Sequence, residues 1–172
     1  DKCNLGEKFE GNEWTHHGSK YEQIGTMYYM YTYNVLVPEY GLIQNKEFSH
    51  IGASPDGICE RTRLDQTGLT NLVGRMLEIK FPKVRQLKTK GRLDGDIAPH
   101  YYYVQMQTQM FSTGLNECDF LQCSLTEYDS KQEFLLDTHQ TIPTLSEETG
   151  LAKGAIIQLA SRKYPDIEFK CK

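Results

Sequence analysis

Ser54-Pro55-Asp56-Gly57, followed downstream by Leu77-Glu78-Ile79-Lys80-Phe81, decides how this chain is read. The first stretch puts a carboxylate at a Pro-Asp-Gly turn, where proline presets one backbone angle and glycine permits positive φ. The second puts a glutamate and a lysine two apart in an apolar run. Residues two apart in a strand share a face, so Glu78 and Lys80 project together while Leu77, Ile79 and Phe81 point into the core. The alternation predicts a half-buried strand over Arg75 to Phe81, stopped by Pro82. Two carboxylates beside one ammonium suit hydrolysis of a phosphodiester. A divalent cation at such a site neutralises charge on the non-bridging oxygens and lowers the pKa of the attacking water. Magnesium needs only one or two carboxylates plus a carbonyl, and keeps several waters. The lysine can orient or deprotonate the water and offset developing charge. Taken singly the motifs are ordinary: Pro-Asp-Gly is a common turn, and Glu-x-Lys on a strand is most often a solvated face.

Length and composition set the frame. With 172 residues and 38% hydrophobic content the chain can build a proper core, and residues 1–172 read as a single domain. It opens on Asp1-Lys2-Cys3 without a methionine, which reads as a fragment or processed product. The net charge of −4 gives no global basic signature of nucleic-acid binding. Locally, Lys83, Arg85, Lys88, Lys90 and Arg92 follow the Glu-x-Lys strand as a basic patch that could meet DNA. A solvated loop is an equal alternative for such a run. The five cysteines (Cys3, Cys59, Cys118, Cys123, Cys171) and the five histidines (His16, His17, His50, His100, His139) show no zinc spacing. Scattered, odd-numbered cysteines fit a reduced, intracellular protein, in the cytoplasm or nucleus of a host. No apolar run approaches a membrane span and no secretory signal opens the chain.

Repeats and low-complexity segments are absent. A helix is expected over residues 12–33, rich in aromatics from Trp14 to Tyr33. Gly18, Glu22, Gly25 and Tyr29 fall on one of its faces at spacings of three and four. Two glycines on one helical face, each costing about 1 kcal/mol relative to alanine, suggest a close approach. Strand pieces are expected at Val35 to Val37 and Tyr40 to Gln44 around Pro38, then at Ile51 to Ala53 and at Ile58 to Cys59. Residues 60–72 read as a polar connection. A second helix is expected from Pro99 to Thr113, with proline near its first turn and Gly114 past its end. On it Tyr102, Gln105 and Gln109 form a polar stripe beside the apolar Tyr103, Met106 and Met110, and amides beside a buried seam need partners. Cys118 to Leu125 reads as a further strand. Glu133 to Leu136 is expected as a strand, and Ala155 to Ala160 as strand or helix.

Four stretches in order, His17-Gly18-Ser19-Lys20-Tyr21-Glu22, Gly52-Ala53-Ser54-Pro55-Asp56-Gly57, Leu77-Glu78-Ile79-Lys80 and Tyr102-Tyr103-Val104-Gln105-Met106-Gln107, carry a family resemblance. The chain resembles the PD-(D/E)xK nuclease superfamily, within it the lambda exonuclease and YqaJ-type recombinase group, whose relatives include the alkaline nucleases of large DNA viruses. The resemblance implies a restriction-endonuclease-like α/β core, a central mixed β-sheet flanked by helices. It implies Asp56, Glu78 and the Ile79 carbonyl as ligands of Mg²⁺, with Mn²⁺ able to substitute, and Glu22 at the edge of the site holding a water or second cation. It implies Lys80 as the catalytic lysine, and Ser54 and Gln105 as contacts to the DNA phosphate, with Tyr102 supporting the site. The basic loop carrying Lys83, Arg85 and Lys88 has no sure family counterpart and is expected to contact DNA or to be lineage-specific. The family's basic, hydroxyl-rich segment for a terminal 5′ phosphate finds no match ahead of Glu22.

The expected activity is magnesium-dependent hydrolysis of DNA, 5′→3′ from duplex ends, in recombination or repair. Double-stranded DNA ends and a single-strand annealing protein are the implied partners, with a phage or viral source in keeping. Monomer and ring trimer both remain open. The alternatives are a structure-specific or RNA-cleaving endonuclease with the same active site, or a catalytically silent nucleic-acid-binding module.

Overall fold

The computed structural model describes residues 13–156, with side chains from residue 16 onward. Its elements run α1 (Glu13–Tyr33), β1 (Ile43–Gln44), β2 (Gly52–Ala53), β3 (Gly57–Ile58), β4 (Met76–Lys80), α2 (His100–Thr113), β5 (Cys118–Gln122) and α3 (Lys131–Leu136). Packing divides the chain, read from its sequence as one domain, into two compact units, Asp1–Ser124 and Leu125–Lys172.

In the first unit a mixed sheet of order β3-β4-β5 forms the centre, β3 antiparallel and β5 parallel to β4. The mixed α/β architecture expected from the sequence is the one observed. Helix α1 packs on β4, and its approach is close: a Cβ on Gly25 would lie 2.7 Å from Ile79 Cγ2 and 3.0 Å from Phe81. Of the two glycines on that face, only Gly25 answers to close packing, since nothing lies within 4 Å of a Cβ on Gly18. Tyr21 and Tyr29 are buried, while Tyr28, Tyr31 and Tyr33 are exposed. Helix α2 starts after Pro99 and stops at Gly114, whose φ of 73° is left-handed and whose N–H returns to the Met110 carbonyl. It covers the opposite face of β4, where Thr113 Oγ1 meets Met76 Sδ at 3.5 Å. It also reaches the β1–β2 pair, where Asn45 Nδ2 donates to the Phe111 carbonyl at 2.7 Å.

This layering corrects one expectation. Met76, Leu77, Glu78 and Ile79 are all buried, so β4 is covered on both faces rather than half-buried. Period-two alternation marks two chemically different faces; it does not say that the polar one meets water. Smaller departures follow from the same packing. Val35 and Val37 are buried in irregular chain outside any strand, although Glu60 N–H donates to the Leu36 carbonyl at 2.8 Å.

In the second unit, Glu133 to Leu136 lies in helix α3, not in a strand. Ser130 caps it by accepting the Glu133 N–H at 3.1 Å, and Glu133 Oε2 accepts the Asp129 N–H at 2.9 Å. Lys153 Nζ closes the other end on the Phe134 and Asp137 carbonyls and on Thr138 Oγ1. The segment expected from Ala155 to Ala160 is irregular at Ala155 and Ile156, and its remainder lies outside the described residues.

Candidate active site

The site begins where strand β3 stops early. Gly57 pairs with Leu77 and Ile58 with Met76, and continuing that register would set Pro55 opposite Ile79. Proline has no N–H to give to a ladder. The chain turns away there, and the Ile79 N–H is taken by Asp56 Oδ2 at 2.6 Å. Both main-chain groups of a paired strand residue face the same edge, so the Ile79 carbonyl emerges beside Asp56 on the edge that β3 has left. Gly57 has its own constraint. Its φ is not positive, against the turn expectation; instead a Cβ there would lie 2.3 Å from Val37 Cγ1.

Glu78 sits under this edge with no exposed surface. A buried carboxylate must be paired and hydrogen-bonded, and three donors meet it. Its Oε1 accepts from Lys80 Nζ and from Gln105 Nε2, the latter at 2.7 Å, and its Oε2 accepts from Gln109 Nε2 at 2.7 Å. Lys80 lies 5.1 Å from the centroid of the Tyr102 ring, a cation–π distance that keeps its ammonium over the site. Burial pushes the Asp56 carboxyl up to about 7, helped by the neighbouring Glu78 charge and opposed by the Ile79 N–H and Lys80. Glu22 is raised as well, first by burial and then by Glu39.

A cleft of about 560 Å³ opens on this floor, lined by Gly18, Ser19 and Glu22 of α1, by Asp56, and by Ile79 to Arg85. Pro99, Tyr101 and Tyr102 complete it. The structure therefore brings together Asp56, Glu78, the Ile79 main chain, Lys80, Gln105 and Tyr102, with Glu22 and Lys83 on the same cleft. Glu22 does not close a three-carboxylate cage: among the described residues no three His, Cys, Asp or Glu side chains gather to hold a metal ion. Two carboxylates, Asp56 lining the cleft and Glu78 buried beneath it, together with a freed carbonyl make an all-oxygen donor set that nonetheless suits a hard cation such as magnesium.

The remaining expected DNA contacts are less uniform. Ser54 is exposed, and its carbonyl accepts from Gln109 at 3.3 Å. Arg85 lines the cleft, but its guanidinium is anchored on the Ile97 carbonyl at 3.1 Å and Gln122 Oε1 at 2.5 Å. Lys88 is exposed, stands outside the lining, and offers its carbonyl to Gln122 Nε2 at 3.4 Å. Gln109 is the polar contributor for which the sequence proposed no role. The signal was there in the polar stripe of α2, where Gln105 and Gln109 are four apart and so on one face.

A family model described as the YqaJ-like viral recombinase domain matches residues 1–116. The chain belongs to that family. All four stretches that carried the resemblance fall inside the matched part of this YqaJ-like domain, and the family expected from them is the one found. The chain is similar to the uncharacterized protein R354 of Acanthamoeba polyphaga mimivirus, 52% identical over 173 residues, covering 99% of this chain and 31% of that protein. It thus spans about a third of the length of that curated relative. Among solved structures it is similar to an alkaline exonuclease, LHK-Exo, from Laribacter hongkongensis, at 28% identity, 70% of this chain, 55% of that chain and a TM-score of 0.49. The same LHK-Exo in complex with dAMP matches at 27% identity, 72% of this chain, 55% of that one and a TM-score of 0.47. Among the described residues no helix is long and apolar enough to cross a membrane.

Proposed function

We propose that this YqaJ-like domain is a magnesium-dependent DNA exonuclease that degrades duplex ends 5′→3′ and leaves a 3′ single strand for recombination or repair. The observation that carries the reading is the junction at Ile79, where Asp56 on its turn and Lys80 line one cleft and buried Glu78 lies directly beneath, bonded to Lys80. Asp56, Glu78 and the Ile79 carbonyl would hold Mg²⁺, or Mn²⁺ in its place. Bound there, the cation would polarise the phosphate and acidify a water.

The chain's own side chains supply the rest. Lys80, on the cleft side of Glu78 and over the Tyr102 ring, offers an ammonium to orient the attacking water and to offset charge on the phosphate. Gln105 holds Glu78 Oε1 and, with the exposed Ser54, is proposed to position the strand. Lys83 and Arg85 extend a positive wall along the cleft for the phosphate backbone, with Lys88 beyond its rim. A single-strand annealing protein is the proposed user of the 3′ strand.

Digestion of a linear duplex labelled at its 5′ end, beside a covalently closed circle, tests this. Release of labelled mononucleotides in Mg²⁺ but not in EDTA, with the circle intact, is the expected result. A cut circle would replace the exonuclease with an endonuclease. Cleavage of RNA alone, or of nothing, would overturn the DNA reading.

A further inference from the structure

Gln109 has no role in the chemistry above, and its surroundings are unusual for a packing residue. It lies in the body of α2, 1% exposed. Its Nε2 donates to Glu78 Oε2 at 2.7 Å and to the Ser54 carbonyl at 3.3 Å, which uses both amide hydrogens. Its Oε1, also buried, has no hydrogen-bond partner among the described residues. Turning the amide over would set that oxygen against a carboxylate and a carbonyl, both acceptors. The orientation is therefore dictated by Glu78 and Ser54, at the expense of the glutamine's own oxygen. A leucine or methionine would fill the space with no buried amide oxygen of its own, but would leave Glu78 Oε2 without its donor. What offsets the stranded atom is the pair of donated bonds, and both end on the candidate site.

We propose that Gln109 is a positioning residue for the metal site, setting the separation of the two carboxylate ligands. One bond fixes Glu78 on β4. The other fixes Ser54, where the turn that delivers Asp56 begins. The inference rests on the preceding assignment of Asp56 and Glu78 as the residues that hold the cation. Helix spacing explains the division of labour with Gln105. Residues four apart on α2 reach the same carboxylate, Gln105 at Oε1 and Gln109 at Oε2. Rotation about the last side-chain bond of a glutamate is otherwise soft, so a donor on each oxygen locks the carboxylate plane. Lys80 also bonds Oε1, which leaves Gln109, among the described residues, as the donor on Oε2. Partners that orient a metal ligand in this way typically contribute about 10–100-fold to metal affinity or activity.

The test uses the full chain carrying Gln109→Met, close in length and without a donor. Mg²⁺ affinity is measured by calorimetry, folding in EDTA by circular dichroism, and cleavage of a linear duplex as a function of Mg²⁺ and of DNA. The expected result is a folded protein whose Mg²⁺ Kd is weaker by about 10–100-fold. The KM for DNA at saturating Mg²⁺ should be unchanged, and kcat there should recover to within a few-fold of wild type. A purely structural glutamine would lower Tm and leave the Mg²⁺ Kd where it was. Gln109→Asn keeps the amide but falls a methylene short of Glu78; it should show the same loss of affinity and decides the matter if the methionine variant does not fold. Wild-type Mg²⁺ affinity in either folded variant would overturn the proposal. Failure of the wild-type protein itself to bind Mg²⁺ would be a different result, overturning the assignment of the site and this inference with it.

Discussion

Asp56 concentrates the electrostatic tension of the site. Its carboxyl is raised from an ordinary 3.8 to about 7, by burial first and by Glu78 second. Between about pH 4 and pH 7 the unfolded chain has lost that proton while the folded chain keeps it, so stability falls as pH rises through this window and is level above it. Asp56→Asn removes the ionisation but leaves an oxygen for the Ile79 N–H. In EDTA at pH 8 the variant should melt above wild type by about 3 °C or more, and the difference should vanish near pH 4. A divalent cation relieves the same tension, so Mg²⁺ should raise the wild-type Tm more at pH 8 than at pH 5. Thermal melts over a pH series, with and without Mg²⁺, check both. At this scale the sequence foreshadowed the juxtaposition of Asp56, Glu78 and Lys80, where chemistry and period coincide. It was not legible where a distant residue sets the constraint. Nothing near Gly57 announces that Val37 will press against it, and nothing near Arg85 announces that Gln122 and the Ile97 carbonyl will tie down its guanidinium.

Elements were read best where their ends carry their own chemistry. Pro99 and Gly114 bracket α2 as expected, because proline suits a helix start and glycine the left-handed residue after its end. The same kind of signal sits at α3, where Ser130-Lys131-Gln132-Glu133 has the spacing of a capping box; its short apolar run instead suggests a strand. The polar face of β4 was expected to meet solvent because one strand's pattern cannot show a second helix arriving on that side. Gly25 gives a test of how tightly α1 seats on β4. Alanine there gains about 1 kcal/mol of helix propensity, but its Cβ would meet Ile79 Cγ2 at 2.7 Å. Overpacking typically costs about 1–3 kcal/mol. Gly25→Ala should therefore lower Tm and, because Ile79 borders the site, weaken Mg²⁺ binding as well. Gly18→Ala, with open space around its Cβ, should lack the steric penalty. Melts of the two variants side by side compare them under one set of conditions.

For the whole molecule, a net charge of −4 means that attraction to DNA must be local. Lys83 and Arg85, which line the cleft, are proposed to supply it. DNA binding should weaken steeply with salt despite the acidic total, and Lys83→Ala should reduce the slope of log K against log salt by about 1. Equilibrium binding across a salt series, in EDTA to prevent cleavage, measures it. All the candidate site residues, from Glu22 to Gln109, lie in the first compact unit, ahead of Leu125. The sequence foreshadowed that concentration, since its four matching stretches span residues 17–107. The central claim, that Asp56, Glu78 and Lys80 form one metal-dependent hydrolytic site, meets its most direct test in single-turnover cleavage of a linear duplex. Wild type, Glu78→Gln and Lys80→Ala are compared with Mg²⁺ and with EDTA, each variant first shown to be folded. The account predicts cleavage by wild type in Mg²⁺ only, and loss of about 10²–10⁴-fold or more in each variant. Wild-type rates in either folded variant, or undiminished cleavage in EDTA, would contradict it.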